Sequence, residues 1–301
     1  MKTNKPELLA PCGNMKILKA AVQSGADAVY LGADKFSARV FAGNFAENEL
    51  REAIEYAGDA KVYLAINTLI TDRELNEALS IVECAYNAGA AAFIVQDLGL
   101  AKKINENYPT AILHASTQMT ARTVKDVEIL AGLGFKRVVL ARELTREQIK
   151  EITTNIKIET EVFVHGALCS AYSGQCLMSS FIGGRSANRG KCAQPCRLKY
   201  KSAKSEGVLL SLKDLCLIDY IDEFAKMSVT SLKIEGRMKG EDYVRTVVGA
   251  YRSVLDGNKL SENQKAKVLG VFDRGGYTDG YYTGNKTEMY MKTLKNPYGV
   301  K

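Results

Sequence analysis

Short apolar runs alternate with longer amphipathic stretches from the first residues to about residue 256. A short run rich in β-branched and aromatic side chains predicts a buried strand, and an apolar residue at every third or fourth position predicts a helix. Eight strands are predicted in this way, at 7–10, 28–32, 61–67, 92–96, 111–116, 137–141, 158–165 and 231–235. These strands are nearly all apolar, which is typical of a parallel sheet with both faces covered by helices.

Helical patterns separate these strands, at 15–24, 47–57, 72–88, 122–131 and 146–154. Several of them end at a glycine, as at Gly25, Gly89 and Gly134, where a positive φ commonly closes a helix. Eight strand–helix units favour an α/β fold of the (β/α)₈, TIM-like type over an open doubly wound sheet. We therefore expect a barrel domain at 1–256, followed by a tail at 257–301 that loses the strand–helix rhythm.

The rhythm breaks once inside the barrel, at 166–208, where Gly, Ser, Cys and basic residues replace the apolar period. The sequence predicts an insertion after the seventh strand. Because it leaves from the carboxyl end of a strand, where barrel enzymes place their active sites, we expect the insertion to lie beside the chemistry.

Hydrophobic residues make up 46% of the chain, but no stretch is apolar enough to cross a bilayer and no leader-like segment begins it. We therefore expect a cytoplasmic protein with no membrane partner. In that reducing compartment a cluster of cysteines predicts a metal site or reactive thiols rather than disulfides.

Four of the seven cysteines fall within 28 residues of the insertion: Cys169, Cys176, Cys192 and Cys196. Four thiolates in one loop can hold a structural zinc or a [4Fe–4S] cluster. Zinc ribbons usually have two tighter pairs, so the spacing favours the cluster, while unligated buried thiols are the third interpretation.

Polar side chains recur on the strand faces that we expect to line the barrel. Residues two apart on a strand share a face, so the alternation in the seventh strand predicts that Glu161 and His165 point inward together. Charges inside a barrel are costly unless they are paired or used, so their convergence predicts an active site. The predicted catalytic residues are Glu161, His165, His114, Lys233, Glu235 and Arg237. A structural ion pair between Glu161 and Lys233 is the alternative for these two.

The charge balance favours an anionic partner, since 41 basic and 34 acidic residues give a net charge of +7. Basic side chains are densest around the clustered cysteines, with aromatic residues between them, which predicts RNA binding by backbone contact and stacking. The predicted substrate-binding residues are Arg142, Arg185, Arg189 and Arg197. A solvated basic loop is the alternative.

The stretch at 159–179 reads ETEVFVHGALCSAYSGQCLMS. It matches the pattern E-x-F-x-x-G-[SA]-[LIVM]-C-x4-G-x-C-x-[LIVM]-S at every specified position. With the flanking segments ELLAPCGN, FSARVFAGNF, VQDLG, HASTQM, GGRSANRGKCAQPC and SLKIEGRMK, the chain resembles the peptidase U32 family, also called the collagenase-like protease family, from residue 7 to about 256.

The resemblance implies a barrel-type catalytic domain and an iron–sulfur cluster on the cysteines that match Cys169, Cys176, Cys192 and Cys196. Several relatives are associated with oxygen-independent hydroxylation of tRNA, of ribosomal RNA or of a ubiquinone precursor, with prephenate as the hydroxyl source in the RNA-directed members. We therefore expect an RNA hydroxylase in which Arg142 and Arg237 bind a carboxylated donor. The alternatives are a collagenase-like peptidase that uses Cys169 or a metal, and a non-catalytic RNA-binding subunit.

Many members of the family carry a further β-rich C-terminal domain, whereas this sequence stops at Lys301. The resemblance therefore implies either a short member, which could act with a paralogous subunit of the family, or a piece of a longer protein.

Overall fold

A computed structural model describes residues 5–38, 43–203, 205–236 and 238–291. Its main sheet contains eight parallel strands that close into a barrel. They are β1 (Glu7–Pro11), β2 (Ala28–Gly32), β3 (Lys61–Ile66), β4 (Ala92–Val95), β5 (Leu113–Ala115), β6 (Arg137–Val139), β7 (Glu159–Gly166) and β8 (Ser231–Ile234). Strand β8 pairs with both β7 and β1, which closes the cylinder. The predicted (β/α)₈ barrel is confirmed.

Helices cover the outside of this barrel. Their bounds are Met15–Gln23, Glu47–Ala57, Leu75–Asn87, Leu98–Asn107, Val124–Gly132, Arg146–Asn155, Ile221–Lys226 and Glu241–Leu255. The three predicted helix-closing glycines have φ values of 88°, 95° and 94°. The pattern at 72–88 forms a 3₁₀ turn, Asp72–Glu74, before the helix proper begins at Leu75.

The apolar core has two layers, as alternation along buried strands requires. The outer and larger layer lies between strands and helices, and it includes Leu8, Val29, Leu64, Leu232 and Ile234. The inner layer fills the cylinder with Leu9, Ala28, Tyr30, Tyr63, Ala65, Ala92 and Ile94. Whether a polar side chain joins the inner or the outer layer therefore decides whether it can meet a ligand in the barrel.

The chain between β7 and β8 contains the cysteine-rich segment. It forms the helix Met178–Gly183, 3₁₀ turns at Ala187–Arg189 and Pro195–Arg197, and a small hairpin of Tyr200–Lys201 with Glu206–Gly207. The strand Asp214–Cys216 then pairs antiparallel with the end of β7. The segment is therefore anchored at the carboxyl end of the barrel.

Part of the chain after residue 256, described as far as Met291, reaches the same end. The helix Glu262–Gly270 is followed by the strand Tyr277–Thr278, which pairs with Asp214–Cys216, and by the short helix Gly280–Thr283. Arg274 and Asp214 form a buried ion pair across this junction. None of the helices in the described part of the chain is both long and apolar enough to cross a membrane.

Gly174 packs closely against the loop that follows β5. Its φ is +78°, and a Cβ built there would lie 2.3 Å from the carbonyl oxygen of Gln118. Because both the backbone conformation and the contact exclude a side chain, we expect Gly174→Ala to cost at least about 1 kcal/mol of unfolding free energy and to speed proteolysis of the segment. Gly183→Ala is the control, since its Cβ would meet no atom within 4 Å. Equal protease sensitivity of the two variants would contradict this expectation.

Candidate active site

A network of charged side chains fills the amino-terminal part of the barrel interior. The Arg137 guanidinium lies 2.6 Å from a Glu7 carboxylate oxygen, 2.6 Å from one of Glu159 and 3.3 Å from one of Glu161. The Tyr63 hydroxyl donates to Glu7 at 2.8 Å. Arg137 is only 2% exposed, so its charge depends on these carboxylates rather than on water.

Glu161 and Lys233 belong to the same network. The Lys233 ammonium donates to Glu161 at 2.7 Å and lies 4.3 Å from the centre of the Tyr30 ring. Burial alone would raise the pKa of Glu161, but Lys233 and Arg137 together hold that pKa below its ordinary value. This geometry favours the structural ion pair over the catalytic role that the sequence also allowed for Glu161 and Lys233.

His114 also lies low in the interior. Its ring is 4.8 Å from that of Tyr63, and its Nδ1 is buried with no hydrogen-bond partner among the described residues. Burial, and then the positive charges of Arg137 and Lys233, hold the pKa of His114 well below its ordinary value. His114 is therefore a neutral imidazole at neutral pH, at some depth from the barrel mouth.

His165 lies in the outer layer, so its predicted inward orientation is wrong. The pairing of β7 with β8 slips by one residue, so that Lys233 is opposite Phe163 and Ile234 is opposite His165. Val164 is the extra residue of this bulge, and a bulge reverses the alternation beyond it. His165 consequently shares the outward face of Ile234 and separates from Glu161.

The surroundings of His165 are aromatic. Its Nδ1 lies 3.3 Å from the hydroxyl of Tyr251, and its ring centre lies 5.5 Å from that of Tyr251, 5.9 Å from Tyr243 and 5.3 Å from Tyr277. Burial lowers the pKa of His165 to about 3. His165 is a neutral packing residue between β7 and the helix Glu241–Leu255.

Protonation of His165 should therefore oppose folding. An unfolded histidine titrates near pH 6.5, so below that pH the unfolded state binds more protons and stability falls until the folded pKa of about 3 is reached. Between pH 7.5 and 5 we expect His165 to account for roughly 2 kcal/mol of lost unfolding free energy. Urea titrations at the two pH values should show this loss in the wild type and lack it in His165→Phe. The same pH dependence in both proteins would show that the ring is hydrated.

A second group of polar residues lies at the carboxyl ends of β6, β7 and β8. The guanidinium of Arg142 is 3.7 Å from Glu235 and 4.1 Å from the centre of the Phe163 ring, and it donates to the Ala167 carbonyl at 3.3 Å. The Tyr30 hydroxyl donates to the Ile234 carbonyl at 3.0 Å. The structure therefore brings the predicted residues Arg142 and Glu235 together at the barrel mouth. The predicted Arg237 lies outside the described residues.

Lys239 and Arg274 add positive charge near this mouth and were not predicted from the sequence. The Lys239 ammonium lies 2.8 Å from the centre of the Phe272 ring. Burial and the positive charge of Arg274 lower the pKa of Lys239 to about 7, although Asp214 and Glu235 oppose the shift. Both residues lie in loops, where no hydrophobic period shows which side chains face the barrel. The only sequence signal for a role at the mouth was position: Lys239 follows β8, and Arg274 lies in the tail.

The start of the cysteine-rich segment is held against the loops that follow β5 and β6. The hydroxyl of Ser173 donates to Glu143 at 2.8 Å, and that of Thr120 donates to the Ser173 carbonyl at 2.7 Å. The Arg122 guanidinium lies 4.1 Å from the centre of the Tyr172 ring. These contacts fix Cys169 and Cys176 on either side of an anchored turn beside the mouth.

Three of the four clustered cysteines, Cys169, Cys192 and Cys196, lie close enough for their charges to interact. Burial raises the pKa of the Cys196 thiol, and the neighbouring Cys169 and Cys192 sulfurs also raise it, while Arg197 opposes them. The backbone N–H of Gln194 donates to the Cys192 sulfur at 3.3 Å, the kind of bond that tunes cluster sulfurs.

This donor chemistry fits a zinc or iron–sulfur centre. Within residues 5–38, 43–203, 205–236 and 238–291, however, no group of three or more Cys, His, Asp or Glu side chains is arranged to hold a metal ion. The cluster stays a prediction, with Cys169, Cys176, Cys192 and Cys196 as its proposed ligands.

Arg197 is not placed to bind an extended substrate. It is 4% exposed, and its guanidinium donates to Ser211 at 2.6 Å and to the Leu168 carbonyl at 3.0 Å. The predicted substrate contact is contradicted, because the side chain ties the cysteine-rich segment together from within. Arg189 is also engaged, in an ion pair with Glu74.

Several other basic and aromatic side chains of the cysteine-rich segment are exposed to solvent. Arg185 is partly exposed and donates to the Lys191 carbonyl at 3.0 Å, whereas Lys191 and Lys199 are exposed. Phe181 is 86% exposed and Tyr172 is 57% exposed. The exposed side chains of the segment therefore include both cations and aromatic rings, although Arg189 and Arg197 are engaged within the protein.

A cavity of about 330 Å³ opens at the other, amino-terminal end of the barrel. Its lining includes Lys5, Glu7, Lys61, Arg137 and Arg252. The charges there already pair with one another, as Lys61 does with Glu7 at 3.1 Å. Because barrel enzymes use this end for stability, the candidate active site is the carboxyl end.

Comparison with known proteins identifies similar chains. A model of peptidase family U32 matches residues 13–292. The tRNA hydroxylation protein P1 of Bacillus subtilis is 39% identical over 269 residues, which are 84% of this chain and 64% of that protein. The 23S rRNA 5-hydroxycytidine C2501 synthase of Escherichia coli is 40% identical over 265 residues, 85% of this chain and 40% of that protein. The chain thus spans less than two thirds of these two relatives.

A solved structure described as a U32 peptidase has a similar fold. Its TM-score is 0.53 at 14% sequence identity, with 77% of this chain and 93% of that chain covered. At that identity the likeness concerns the barrel fold alone.

Proposed function

Because this chain belongs to peptidase family U32, we propose that it is an iron–sulfur-dependent, oxygen-independent hydroxylase that acts on tRNA or ribosomal RNA. The observation that carries this proposal is its similarity to two proteins named for hydroxylation of tRNA and of ribosomal RNA. The pairing of Arg142 with Glu235 at the barrel mouth supports it, because it provides an anion-binding group beside a carboxylate.

Arg142 is the proposed binding residue for a carboxylated donor such as prephenate. Its guanidinium carbon lies 4.1 Å from the centre of the Phe163 ring and its side chain is 14% exposed, so a carboxylate would gain a charge-assisted hydrogen bond in a partly dry site. Lys239, whose pKa is lowered to about 7, is the proposed group that accepts and returns protons near neutral pH, and Glu235, 12% exposed, is the carboxylate close to it.

The proposed cluster ligands are Cys169, Cys176, Cys192 and Cys196. When bound, a [4Fe–4S] cluster would supply one-electron transfer beside the mouth. Cys169 follows β7 by three residues, and Ser173 anchors the turn after it through Glu143. The chain's own contribution is therefore to hold the ligand loop at the barrel's carboxyl end.

The exposed aromatic and basic side chains of the segment are the proposed RNA contacts. Bases that leave a helix can stack on Tyr172 and Phe181, while Lys191 and Lys199 neutralise phosphates. Arg122 holds the Tyr172 ring in place, since its guanidinium lies 4.1 Å from the ring centre.

The peptidase alternative has less support from the geometry. A Cys–His peptidase needs a histidine within hydrogen-bond reach of its thiolate. His165 is buried against Tyr251, and His114 lies low in the barrel beside Tyr63. The chain has only these two histidines.

The test is nucleoside mass spectrometry of total tRNA and ribosomal RNA from a deletion strain of the source organism. We expect one hydroxylated pyrimidine nucleoside to disappear and to return when the wild-type chain is supplied, but not with Arg142→Met. Unchanged nucleosides, together with gelatin cleavage by the purified protein, would replace this proposal with the peptidase.

A further inference from the structure

Three polar side chains end three adjacent strands at one level of the barrel. Ile66 pairs with Val95, and Val95 pairs with Ala115, so the next residues, Asn67, Gln96 and Ser116, lie side by side. The residues two positions earlier on β3 and β4, Ala65 and Ile94, belong to the inner core. Alternation therefore directs Asn67 and Gln96 into the barrel, above that core.

Two of the three side chains are satisfied within the protein. The Asn67 amide donates to the Ser116 hydroxyl oxygen at 3.2 Å and accepts from the Ala38 backbone N–H at 3.1 Å. The Ser116 oxygen also accepts from the Gln118 backbone N–H at 3.2 Å. Asn67 and Ser116 thus form a fixed polar rim.

Gln96 is different. The residue is 9% exposed, and its Oε1 is buried with no hydrogen-bond partner among the described residues. A buried amide oxygen that accepts no hydrogen bond is costly, and native proteins rarely keep one without a use. Its position at the carboxyl end of β4, the catalytic end of the barrel, indicates that the missing donor belongs to a ligand.

We propose that Gln96 is a specificity-determining residue whose Oε1 accepts a hydrogen bond from the N–H edge of the substrate's pyrimidine base. This inference rests on the proposed function. An ionised carboxylate would leave Oε1 unsatisfied, because it offers only acceptors. The imide N–H of uracil and the exocyclic amine of cytosine both donate.

This arrangement also requires the target nucleotide to leave its stack. Enzymes that modify a base take it out of the helix and read its Watson–Crick edge inside a pocket. The polar rim of Asn67 and Ser116 keeps the neighbouring strand ends in place, so that Gln96 meets the base without rearranging them.

The first arm of the test is thermal stability. Gln96→Met keeps the length of the side chain and removes its polar atoms, so loss of an unpartnered group should leave the melting temperature unchanged or raise it. Asn67→Leu is the matched control, because it breaks two hydrogen bonds and should lower the melting temperature. A fall in Gln96→Met as large as that in Asn67→Leu would overturn the proposal, since Gln96 would then be satisfied inside the protein.

The second arm is binding of fluorescein-labelled ten-nucleotide RNAs that carry one central uridine, cytidine or abasic site. We expect the wild type to prefer a base to the abasic site, and Gln96→Met to reduce that preference by about threefold to tenfold, as for one hydrogen bond. No preference in the wild type, or an unchanged preference in Gln96→Met, would overturn the proposal. Neither arm measures hydroxylation, so a failure of the proposed function is seen separately in the nucleoside analysis.

Discussion

Replacement of Arg137 by methionine is expected to lower the free energy of unfolding by about 3–5 kcal/mol, as for other broken buried ion pairs. The guanidinium touches Glu7, Glu159 and Glu161, and the last of these is completely buried. Methionine fills much of the same volume but leaves two carboxylates inside the barrel with too little positive charge. Urea unfolding at pH 7 measures the loss.

The loss of unfolding free energy in Arg137→Met should also depend on pH. Arg137 helps to hold the pKa values of Glu7 and Glu161 below their ordinary range, against a burial effect that raises them. Wild-type stability from these carboxylates is therefore present above pH 4.5 and is lost as the pH falls through the folded pKa. In Arg137→Met the Glu7 carboxylate loses its largest stabilising charge, so we expect burial to raise the pKa of Glu7. Protonated Glu7 then favours folding, and the difference in unfolding free energy between variant and wild type should narrow between pH 7 and 5.

Arg245→Met is the control for this experiment. Arg245 pairs with Glu241 one helical turn away on the surface, where its side chain is 42% exposed. Such a pair contributes about 0.3–0.5 kcal/mol. An Arg137→Met variant that is no less stable than Arg245→Met would show that the interior network does not support the barrel.

The second large effect is the expected loss of bound iron and of hydroxylation when a clustered cysteine is replaced. We expect Cys196→Ser, and equally Cys192→Ser, to abolish bound iron in anaerobically purified protein and to lower hydroxylation by more than roughly 100-fold. Changes around metal ligands alone cost 10–100-fold, and loss of a ligand costs more. Cys84→Ser should change neither quantity, because Cys84 lies on the helix Leu75–Asn87, with its thiol donating to the Glu47 carbonyl at 3.7 Å.

Iron and sulfide analysis decides between the metals. About four irons and four sulfides per chain support a [4Fe–4S] cluster. A colourless protein with one zinc per chain would contradict the proposed electron transfer, because zinc has no redox chemistry, and the cysteines would then have a structural role.

The barrel could be predicted from the sequence because each strand carries its own signal. A buried parallel strand needs apolar side chains on both faces, and β2, with the sequence AVYLG, is buried at every position. The closure through β8 followed from the number of strand–helix units, since an eighth strand must pair with the first in a barrel.

The site was predicted only in part, because contacts across the barrel depend on register. Simple alternation placed His165 beside Glu161, but the bulge at Val164 depends on how β7 pairs with β8, which β7 alone does not reveal. Arg137 was missed for a related reason, since its partners on β1 and β7 are distant in sequence.

Burial of individual loop side chains could not be predicted either. Arg197 and Lys199 are two residues apart in one basic run, yet Arg197 is buried and Lys199 is exposed. Gln96 lies in the VQDLG segment, but its role could not be predicted, because the absence of a hydrogen-bond partner is a property of the folded surroundings. What the sequence did indicate was the position of Arg142 and Glu235 near strand ends.

Photocrosslinking of 4-thiouridine-containing RNA to the purified protein tests most directly whether a nucleotide enters the carboxyl end of the barrel. The account predicts crosslinked peptides from the loops that follow β4 to β7, which contain Gln96, Gln118 and Tyr172. Crosslinks confined to the amino-terminal end, around Lys5, Lys61 and Arg252, would contradict it.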